Sequence, residues 1–521
     1  MSARTKKKRE RENFMTLQEY LNLRNGTDVR GVAVDGVAGE PITLTPEAAQ
    51  NIVAAFCRWL SNKTGKEKLL IAVGHDSRIS ASALCEGAVK GITLSGNDAL
   101  VTGLSTTPSM FMLLKDERLT KEERPDGSIM ITASHLPFNR NGLKFFSPIG
   151  GLEGSDIKEI LTIASEITVD SKNVGKTFTC SYLNEYAQSL VEIVRKACGE
   201  NEPLKGKRII VDAGNGAGGF YADKVLVPLG ADVTGSQFLN PDGTFPNHIP
   251  NPENKEAMES VCEAVKMAKA DFGIIFDTDV DRAGAVDKDG SEINRNRLIA
   301  LISAILLQEK KGTIVTDSVT SDGLAKFIAQ KGGKHRRFKR GYKNVINEAI
   351  RLNNEGEYTP LAIETSGHAA LKENYFLDDG AYLITRLLIA LAKAAKENKD
   401  LSDLIADLEM PKEAQEIRLR FQDGCDFKTL GFAMLDDFKA YAENHANAQP
   451  APDNHEGCRV RYDSEHGNGW ALVRMSLHDP ILPINVESDE IGGCKKIAND
   501  LYAFLKNYDF LDLSPLEKAI K

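Results

Sequence analysis

The fold of this chain is decided by residues 272–282, which read FGIIFDTDVDR. The apolar run Phe272–Phe276 is followed at once by three carboxylates at alternate positions, Asp277, Asp279 and Asp281. A short apolar run that ends at polar residues is typical of a buried parallel strand. Open α/β sheets bind their ligands beyond the carboxyl ends of such strands. We therefore expect an α/β fold whose chemistry lies in the turns that follow its strands.

The same arrangement recurs on both sides of this stretch. Apolar runs at Leu69–Val73, Ile129–Ile131, Arg208–Val211 and Thr313–Thr316 each end near polar residues or glycine, and helical patterns lie between them. After residue 410 this rhythm weakens into a polar loop, short strands and a final helical pattern. We expect three related α/β domains and a smaller α+β C-terminal domain, with boundaries at residues 1–171, 172–293, 294–409 and 410–521.

Length and composition are those of a multidomain globular protein. The chain has 521 residues, and its 65 Lys and Arg against 74 Asp and Glu give a net charge of −9. Nucleic-acid binders are usually basic, so this balance argues against a nucleic-acid partner. No apolar window approaches the roughly 20 residues that span a bilayer, and the eight cysteines include no C-x-x-C pair. We expect a cytoplasmic protein with reduced thiols and no membrane partner. We interpret the basic run Lys6–Arg9 as a solvated tail, with a nuclear or RNA-binding patch as the alternative.

The carboxylates of residues 277–281 predict a metal site. Like charges at this spacing repel each other strongly unless a cation lies among them. Ligands that are all oxygen suit a hard cation such as Mg²⁺. A calcium loop of the EF-hand type would need glycine in place of Arg282 and glutamate in place of Lys288, so it is disfavoured. The remaining alternative is a solvated acidic turn.

Two further loops carry reactive side chains. Residues 132–137, TASHLP, follow the apolar run at Ile129–Ile131, and Ser134 in this loop is a candidate nucleophile or an ordinary turn residue. The esterase motif G-x-S-x-G is absent from the chain, which disfavours acyl transfer. Residues 364–368, ETSGH, combine a carboxylate, a hydroxyl and an imidazole. This combination is suited to binding vicinal sugar hydroxyls.

Residues 214–219, GNGAGG, satisfy the dinucleotide pattern G-x-G-x-x-G, and Asp232 lies at a suitable distance for a ribose carboxylate. However, Asp212 and Ala213 separate the strand from the first glycine, and Asp232 begins the next strand pattern instead of ending it. We interpret the segment as a close-packed glycine turn at the start of a helix. A nicotinamide oxidoreductase is the alternative, and no Walker motif is present.

Taken together, these motifs resemble the α-D-phosphohexomutase superfamily, and most closely its phosphomannomutase/phosphoglucomutase branch. Three other segments carry the resemblance: Asn25–Gly31 (NGTDVRG), Val73–Arg78 (VGHDSR) and Phe245–Glu253 (FPNHIPNPE). The likeness covers nearly the whole chain. It implies four domains around a central cleft and an enzyme that interconverts hexose 1-phosphate and hexose 6-phosphate, with mannose and/or glucose as the sugar. The reaction would pass through a phosphoserine and a hexose 1,6-bisphosphate.

The resemblance also implies a role for individual residues. Ser134 would carry the phosphoryl group and, with the three aspartates, would bind Mg²⁺. The residues implied to be catalytic are Ser134, His135, Lys144, Arg30 and His368. The residues implied to bind substrate are Arg282, Gly341, Glu364, Ser366, His368, Arg474, Ser476 and His478. The partner would be a small hexose phosphate, the bisphosphate would serve as activator, and the protein would be a monomer or a homodimer.

The chain departs from the family pattern most clearly near its end. The phosphate loop of the family reads S-G-T-E-P, whereas this chain has SLHDP at residues 476–480. Leu477 and His478 therefore replace the glycine and the threonine that would donate to phosphate, and Leu136 replaces an asparagine of the serine motif. Two alternatives remain open: an amino-sugar phosphate mutase, and a non-catalytic paralogue that only binds sugar phosphates.

Overall fold

The structure is a computed structural model that describes residues 15–169, 173–445, 447–452, 454–476 and 479–521. The basic run at Lys6–Arg9 and the candidate residue His478 lie outside these ranges. The described helices are α1 Leu17–Asn22, α2 Pro46–Thr64, α3 Ala81–Leu94, α4 Thr107–Lys115, α5 Gly154–Glu166, α6 Tyr182–Cys198, α7 Lys255–Ala268, α8 Arg295–Glu309, α9 Asp322–Gln330, α10 Tyr342–Asn354, α11 Gly380–Lys396, α12 Phe427–Asn444, α13 Gly493–Leu505 and α14 Ser514–Ile520.

The strands follow the same order along the chain. They are β1 Arg24–Asn25, β2 Asp28–Val32, β3 Leu70–His75, β4 Asp98–Leu104, β5 Gly127–Ile131, β6 Arg140–Ser147, β7 Gly150–Gly151, β8 Thr177–Thr179, β9 Ile209–Asp212, β10 Phe272–Phe276, β11 Ala283–Asp287, β12 Glu292–Ile293, β13 Thr313–Thr316, β14 Lys334–Arg337, β15 Leu361–Ile363, β16 Ala369–Leu371, β17 Leu377–Asp378, β18 Glu413–Phe421, β19 Ala448–Pro450, β20 Cys458–Tyr462, β21 Gly469–Val473, β22 Ile481–Ser488 and β23 Leu511–Asp512.

The chain forms two compact units. The first contains the residues up to Asn294 together with Ser366–Ala369 and Leu377–Asp400. The second contains Arg295–Thr365, Ala370–Phe376 and the residues from Leu401 onward. Two separate pieces of the later chain therefore complete the first unit.

The first unit begins with an eight-stranded sheet in the order β1-β2-β6-β5-β3-β4-β8, with β7 paired to β6. Strands β3, β4, β5 and β8 run parallel. Helix α2 is capped by Thr45, whose hydroxyl accepts a hydrogen bond from the Ala48 N–H, and its apolar side is buried in the core of this region. Within that core the rings of Phe56 and Phe145 lie 4.8 Å apart. Because β3, β4 and β5 are parallel, the turns that follow them lie at the same edge of the sheet.

A four-stranded sheet in the order β12-β11-β10-β9 follows in the same unit. The run at Phe272–Phe276 is fully buried, as expected, and forms β10. It pairs in parallel with β9 but antiparallel with β11, so only one of its two neighbours matches the expected parallel strand. The chain turns back after Phe276 because residues 277–282 form a hairpin loop instead of leading into a helix.

The glycine segment in this region is close-packed, as the sequence predicts. A Cβ atom on Gly216 would lie 2.7 Å from the backbone of Thr278, and one on Gly219 would lie 2.1 Å from the Leu239 carbonyl oxygen. The segment leads into the 3-10 turn Ala217–Gly219 and a single π-helical turn in place of a regular α-helix. Pro228 follows and has no N–H to extend an α-helix. Close packing against the backbone of Thr278 and Leu239 therefore accounts for glycine at positions 216 and 219.

The second unit contains a parallel group of strands and an antiparallel sheet. Strand β13 pairs in parallel with β14 and with β15. The residues after Leu401 add a six-stranded sheet in the order β19-β20-β21-β22-β18-β23. Helices α12 to α14 contribute to its core. The predicted fold class, α/β regions followed by a smaller α+β region, is confirmed. None of the described helices is both long and apolar enough to cross a membrane.

Candidate active site

The three carboxylates of the hairpin loop lie close together and are buried. Their ligand atoms are all within 4.8 Å of one another. Val280, between two of them, has a φ of 66° and turns the loop tightly enough for the side chains to converge. Burial, together with the charges of Asp281 and Asp279, raises the pKa of Asp277 well above its usual range. The loop thus gathers three carboxylates at one buried point.

These residues fit a hard divalent cation. Oδ1 of Asp279 and Oδ1 of Asp281 are buried and accept no hydrogen bond. A buried carboxylate oxygen without a partner is costly, and a bound cation removes that cost. The cluster offers only carboxylate oxygens, which are the ligands that Mg²⁺ prefers.

Lys144, on β6, is bonded to the same cluster. Its ammonium group donates to Oδ2 of Asp279 at 2.9 Å and to Oδ2 of Asp281 at 2.5 Å. Burial by itself would lower the pKa of Lys144, but these two carboxylates raise it well above its usual range. For the same reason Lys144 holds the pKa of Asp281 below its usual range, although burial alone would raise it. Lys144 is therefore a fixed positive charge beside the acidic loop.

Ser134 lies directly against the acidic loop. Its side chain follows β5, is 1% exposed and donates a hydrogen bond to Oδ2 of Asp277 at 2.9 Å. The Ser134 backbone has a φ of 51°, in the left-handed region that non-glycine residues rarely adopt. His135 Nδ1 lies 3.3 Å from Ser134 Oγ. Burial and the charges of Arg282 and Arg30 lower the pKa of His135 to about 2, so its imidazole is neutral at physiological pH.

Cationic groups surround Ser134 and the aspartates. The Nε of Arg282 lies 3.8 Å from Asp277 Oδ2 and 3.9 Å from Asp281 Oδ1. His368 forms a backbone bridge with Arg282, and its Nδ1 is hydrogen-bonded to the carboxylate of Asp378. Burial alone would lower the pKa of His368, but Asp378 and Asp281 raise it above its usual range. Arg30 is on β2 and forms a salt bridge with Asp28 at 2.9 Å.

The second unit holds a separate group of predicted residues. The Gly341 N–H donates to Glu364 Oε1 at 2.6 Å, and the φ of 112° at Gly341 explains why glycine occupies this position. Asp317, fully buried at the end of β13, accepts a hydrogen bond from the Thr365 hydroxyl at 2.8 Å. Its carboxylate thereby fixes the residue that separates Glu364 from Ser366. Ser366, the next residue along the chain, belongs to the first unit, and its Oγ is buried without a hydrogen-bond partner.

Arg474 and Ser476 follow β21 in the same unit. Burial lowers the pKa of Arg474 from its usual value, while the carboxylate of Glu456 opposes that effect. The hydroxyl of Ser476 accepts a hydrogen bond from the Asp479 N–H at 3.3 Å. His478, the third residue predicted here, lies outside the described part of the chain.

Two residues of the first site have no prominent sequence signal. The Thr107 hydroxyl donates to Asp279 Oδ2, and the Thr107 N–H donates to the Asp279 carbonyl oxygen at 2.9 Å. Thr107 is the first residue of α4 and follows the capping residue Thr106. The sequence around it therefore indicates only the start of a helix. Asp378 stands in an acidic pair after the ETSGH loop, and only the fold shows that it contacts His368.

Comparisons with known proteins agree with this fold. Three alpha/beta/alpha domains of the phosphoglucomutase/phosphomannomutase family match the chain: domain I at residues 23–171, domain II at 184–290 and domain III at 294–410. A phosphoglucomutase of Neisseria meningitidis is 30% identical over 479 residues, which is 91% of this chain and 95% of that protein. A phosphoglucomutase/phosphomannomutase of Thermococcus kodakarensis is 31% identical over 464 residues, covering 87% of this chain and 93% of that protein.

A crystal structure gives the same result. A phosphoglucomutase/phosphomannomutase family protein from Burkholderia thailandensis aligns with a TM-score of 0.76 and 27% identity, over 95% of this chain and 98% of that chain. Fold and site together define a class of protein: a multidomain α/β protein in which a buried serine lies against an acidic loop that could hold a cation. The chain belongs to the phosphoglucomutase/phosphomannomutase family of the α-D-phosphohexomutase superfamily.

Proposed function

We propose that this protein is a phosphohexomutase that interconverts hexose 1-phosphate and hexose 6-phosphate, with mannose and/or glucose as the sugar. One observation carries the proposal most directly: the Ser134 hydroxyl is 2.9 Å from a carboxylate oxygen of a buried three-aspartate loop. A hydroxyl in that position can carry a phosphoryl group whose charge is balanced by a cation on the loop. The family relatives, named phosphoglucomutase and phosphoglucomutase/phosphomannomutase, support the same reaction.

Asp277, Asp279 and Asp281, together with an oxygen on Ser134, would hold Mg²⁺. When bound, the cation supplies positive charge to the transferring phosphoryl group. The chain supplies more positive charge around the same point through Lys144 and Arg282. Phosphoryl transfer passes through a loose, highly charged transition state, so fixed charge and positioning account for most of the catalysis.

The reaction has two related transfers. In the first, the bond between phosphorus and Ser134 Oγ breaks, and a bond forms from phosphorus to the free hydroxyl oxygen of the hexose phosphate. The product is a hexose 1,6-bisphosphate, which turns around and returns its other phosphoryl group to Ser134. The hexose hydroxyl gives up its proton as its bond to phosphorus forms, and Ser134 Oγ takes one up as its own bond to phosphorus breaks. Asp378 raises the pKa of His368 against the effect of burial, and we assign His368 and Lys144 to donate hydrogen bonds and to steer protons at this site. Arg30 and neutral His135 complete the set beside Ser134.

We assign recognition of the substrate to the remaining predicted residues. Glu364, Ser366 and Gly341 would contact the sugar hydroxyls, and Arg474 and Ser476, with His478, would bind the phosphate that is not being transferred. The domain boundaries at residues 171, 293 and 409, the monomeric or homodimeric state and the use of a hexose 1,6-bisphosphate activator belong to the same proposal. The hexose phosphate would be the partner, and the cytoplasm the location.

A coupled mutase assay tests the function. Purified protein with Mg²⁺ and glucose 1,6-bisphosphate is given mannose, glucose or glucosamine 1-phosphate, and formation of each 6-phosphate is followed. Turnover of mannose or glucose phosphate is expected, and Ser134→Ala should abolish it. The matched control is Ser165→Ala, which removes only a helix hydroxyl bonded to the Thr162 carbonyl. Preference for glucosamine phosphate would assign an amino-sugar mutase instead, and binding without turnover would assign a non-catalytic paralogue.

A further inference from the structure

Arg78 is a fully buried arginine that touches none of the groups proposed to react. It lies in the VGHDSR turn after β3, and its side chain has an exposed fraction of 0%. A buried guanidinium is costly unless nearly all of its donors have partners. The groups that surround Arg78 therefore indicate its role.

The partners of Arg78 belong almost entirely to the loop that carries Ser134. Nη1 donates to the carbonyl oxygens of Pro137 at 2.8 Å and Arg140 at 2.9 Å. Nη2 donates to the carbonyl oxygens of Leu136, at 2.6 Å, and Ser134 itself. One side chain thus holds four backbone carbonyls within residues 134–140, which we call the serine loop.

Two other groups fix the guanidinium in place. The Asp76 carboxylate accepts a hydrogen bond from the Arg78 N–H at 2.9 Å and lies 3.4 Å from Nε. The ring centre of Phe245, in the FPNHIPNPE segment, lies 5.2 Å from the guanidinium carbon. Gly243 allows this segment to approach, because a Cβ there would lie 2.5 Å from the backbone of Ser77.

The serine loop needs this support because few hydrogen bonds form between its own residues. Within the loop, the Arg140 N–H donates to the Pro137 carbonyl. Just before it, the Ala133 carbonyl accepts from the Leu136 N–H, and the Thr132 hydroxyl accepts from the Ser134 N–H. Ser134 also sits in the left-handed region, at a φ of 51°. Residues in such conformations persist only where the surroundings hold them. Arg78 by itself supplies four of the hydrogen bonds that hold the loop.

We propose that Arg78 is a positioning residue for phosphoryl transfer, holding the serine loop so that Ser134 Oγ stays in line with the acidic loop, with Phe245 keeping the guanidinium in place. This inference rests on the proposed function. Lysine cannot replace it, because an ammonium group lacks the planar fork that reaches four carbonyls. Displacement of a reacting atom by about 1 Å can cost about 100-fold in rate.

The test compares Arg78→Lys, Arg78→Ala and the milder Phe245→Leu with wild type. The control is Arg118→Lys, whose guanidinium bonds to Asp116 in a partly exposed pair. Thermal unfolding first sets a temperature at which every variant is folded. For Arg78→Lys we expect kcat to fall about 100-fold with KM for hexose phosphate nearly unchanged. Hydrogen exchange of residues 133–142 should become at least about tenfold faster while the rest of the first unit is unaffected. Added guanidinium should partly restore Arg78→Ala, and ammonium at equal ionic strength should not.

Separate outcomes address the two proposals. A wild type without mutase activity overturns the proposed function, and the exchange measurement still decides whether Arg78 holds the loop. The positioning role is overturned if exchange of residues 133–142 is unchanged in Arg78→Lys, or if the loop loosens while kcat stays at the wild-type value. If both Arg78 variants fail to fold, kcat and hydrogen exchange of Phe245→Leu decide the question by the same criteria. For this variant we expect kcat to fall by about tenfold.

Discussion

At the scale of single residues, the site is a balance of buried charges. Three buried aspartates repel one another, and Lys144 and Arg282 supply opposing charge, while Asp378 and Asp281 raise the pKa of the nearby His368 against the effect of burial. The pKa of each group is shifted in the direction that its partners dictate, so removal of one member changes the protonation of the others. The hydroxyl and amide donors around the aspartates matter because they set which carboxylate oxygens stay available for a cation.

Thr107 gives a prediction at this scale. In Thr107→Val the donor to Asp279 Oδ2 is lost while the shape is kept. Partners of metal ligands typically account for about 10- to 100-fold in metal affinity. We expect the Mg²⁺ concentration for half-maximal activity to rise at least about tenfold, with nearly full activity recovered at saturating Mg²⁺. Calorimetry of Mg²⁺ binding compares the affinities of wild type and Thr107→Val without depending on turnover. Thr162→Val, on the exposed side of α5, should behave as wild type, and an unchanged Mg²⁺ requirement in Thr107→Val would count against the arrangement.

At the scale of elements, strand ends hold the functional residues together. Asp76, Thr107 and Ser134 follow the parallel strands β3, β4 and β5, and Asp277 follows β10. Asp212, at the end of β9, instead joins the FPNHIPNPE segment to the sheet. Both oxygens of its buried carboxylate lie about 3 Å from His248 Nε2, at 3.1 Å and 3.0 Å.

The Asp212–His248 pair predicts a pH-dependent stability. Burial alone would lower the pKa of His248, but the hydrogen bond and charge of Asp212 raise it. A raised pKa in the folded state means that this contribution is complete below about pH 6.5 and is lost as the pH rises through the folded pKa. We expect wild type to exceed His248→Gln in free energy of unfolding by about 1.5–3 kcal/mol at the acid end.

Urea unfolding at several values between about pH 5.5 and pH 8.5 measures this difference. It should shrink steadily as the pH rises. His466→Gln serves as control, since His466 forms an exposed pair with Asp463. A difference that stays constant or grows with pH would contradict the assignment.

Sequence reasoning succeeded where the signal was local. The apolar run Phe272–Phe276 and its carboxylates occupy consecutive positions, so strand and ligands could be inferred together. Thr107 contacts an aspartate 172 positions away, and nothing near it in the sequence indicates that partner. The VGHDSR turn was recognisable as a motif, but that Arg78 binds the serine loop became visible only in three dimensions. The antiparallel neighbour of β10 was missed because a buried strand is equally apolar beside either kind of neighbour.

At the scale of the whole molecule, a buried arginine, Arg459, links the two sheets of the second unit. Arg459, on β20, donates to the carbonyl oxygens of Ser318 and Thr320 and pairs with Asp322. Its guanidinium lies 3.5 Å from the ring centre of Trp470. The sheet of the α+β region is thereby tied to the loop after β13, which also holds Asp317 and so reaches Thr365.

Arg459→Met tests this connection. It takes a donor from the carbonyls of Ser318 and Thr320, the second of which still accepts from Arg337 Nε at 3.2 Å. We expect the second unit to lose about 3 kcal/mol of stability. The chain has two tryptophans, Trp59 in the first unit and Trp470 in the second. In a Trp59→Phe background, urea unfolding followed by fluorescence therefore reports on the second unit. The midpoint should shift to lower urea in Arg459→Met and stay in place for Arg418→Met, whose side chain pairs with Glu416 on an exposed surface. Equal midpoints for the two variants would exclude a joining role.

The assignment of Ser366–Ala369 and Leu377–Asp400 to the first unit has a consequence for synthesis on the ribosome. In the folded protein the Tyr186 hydroxyl donates to the Asp379 carboxylate at 2.7 Å, and the Tyr221 hydroxyl lies 2.9 Å from the Thr385 hydroxyl. When residue 294 has just been synthesised, neither Asp379 nor Thr385 exists yet. His368 and Asp378 are also absent at that moment. At about 5–20 residues per second, the missing pieces arrive some 5–20 seconds later. The first unit therefore cannot complete its folding until most of the next domain has been synthesised, and until then Tyr186 and Tyr221 lack these two partners.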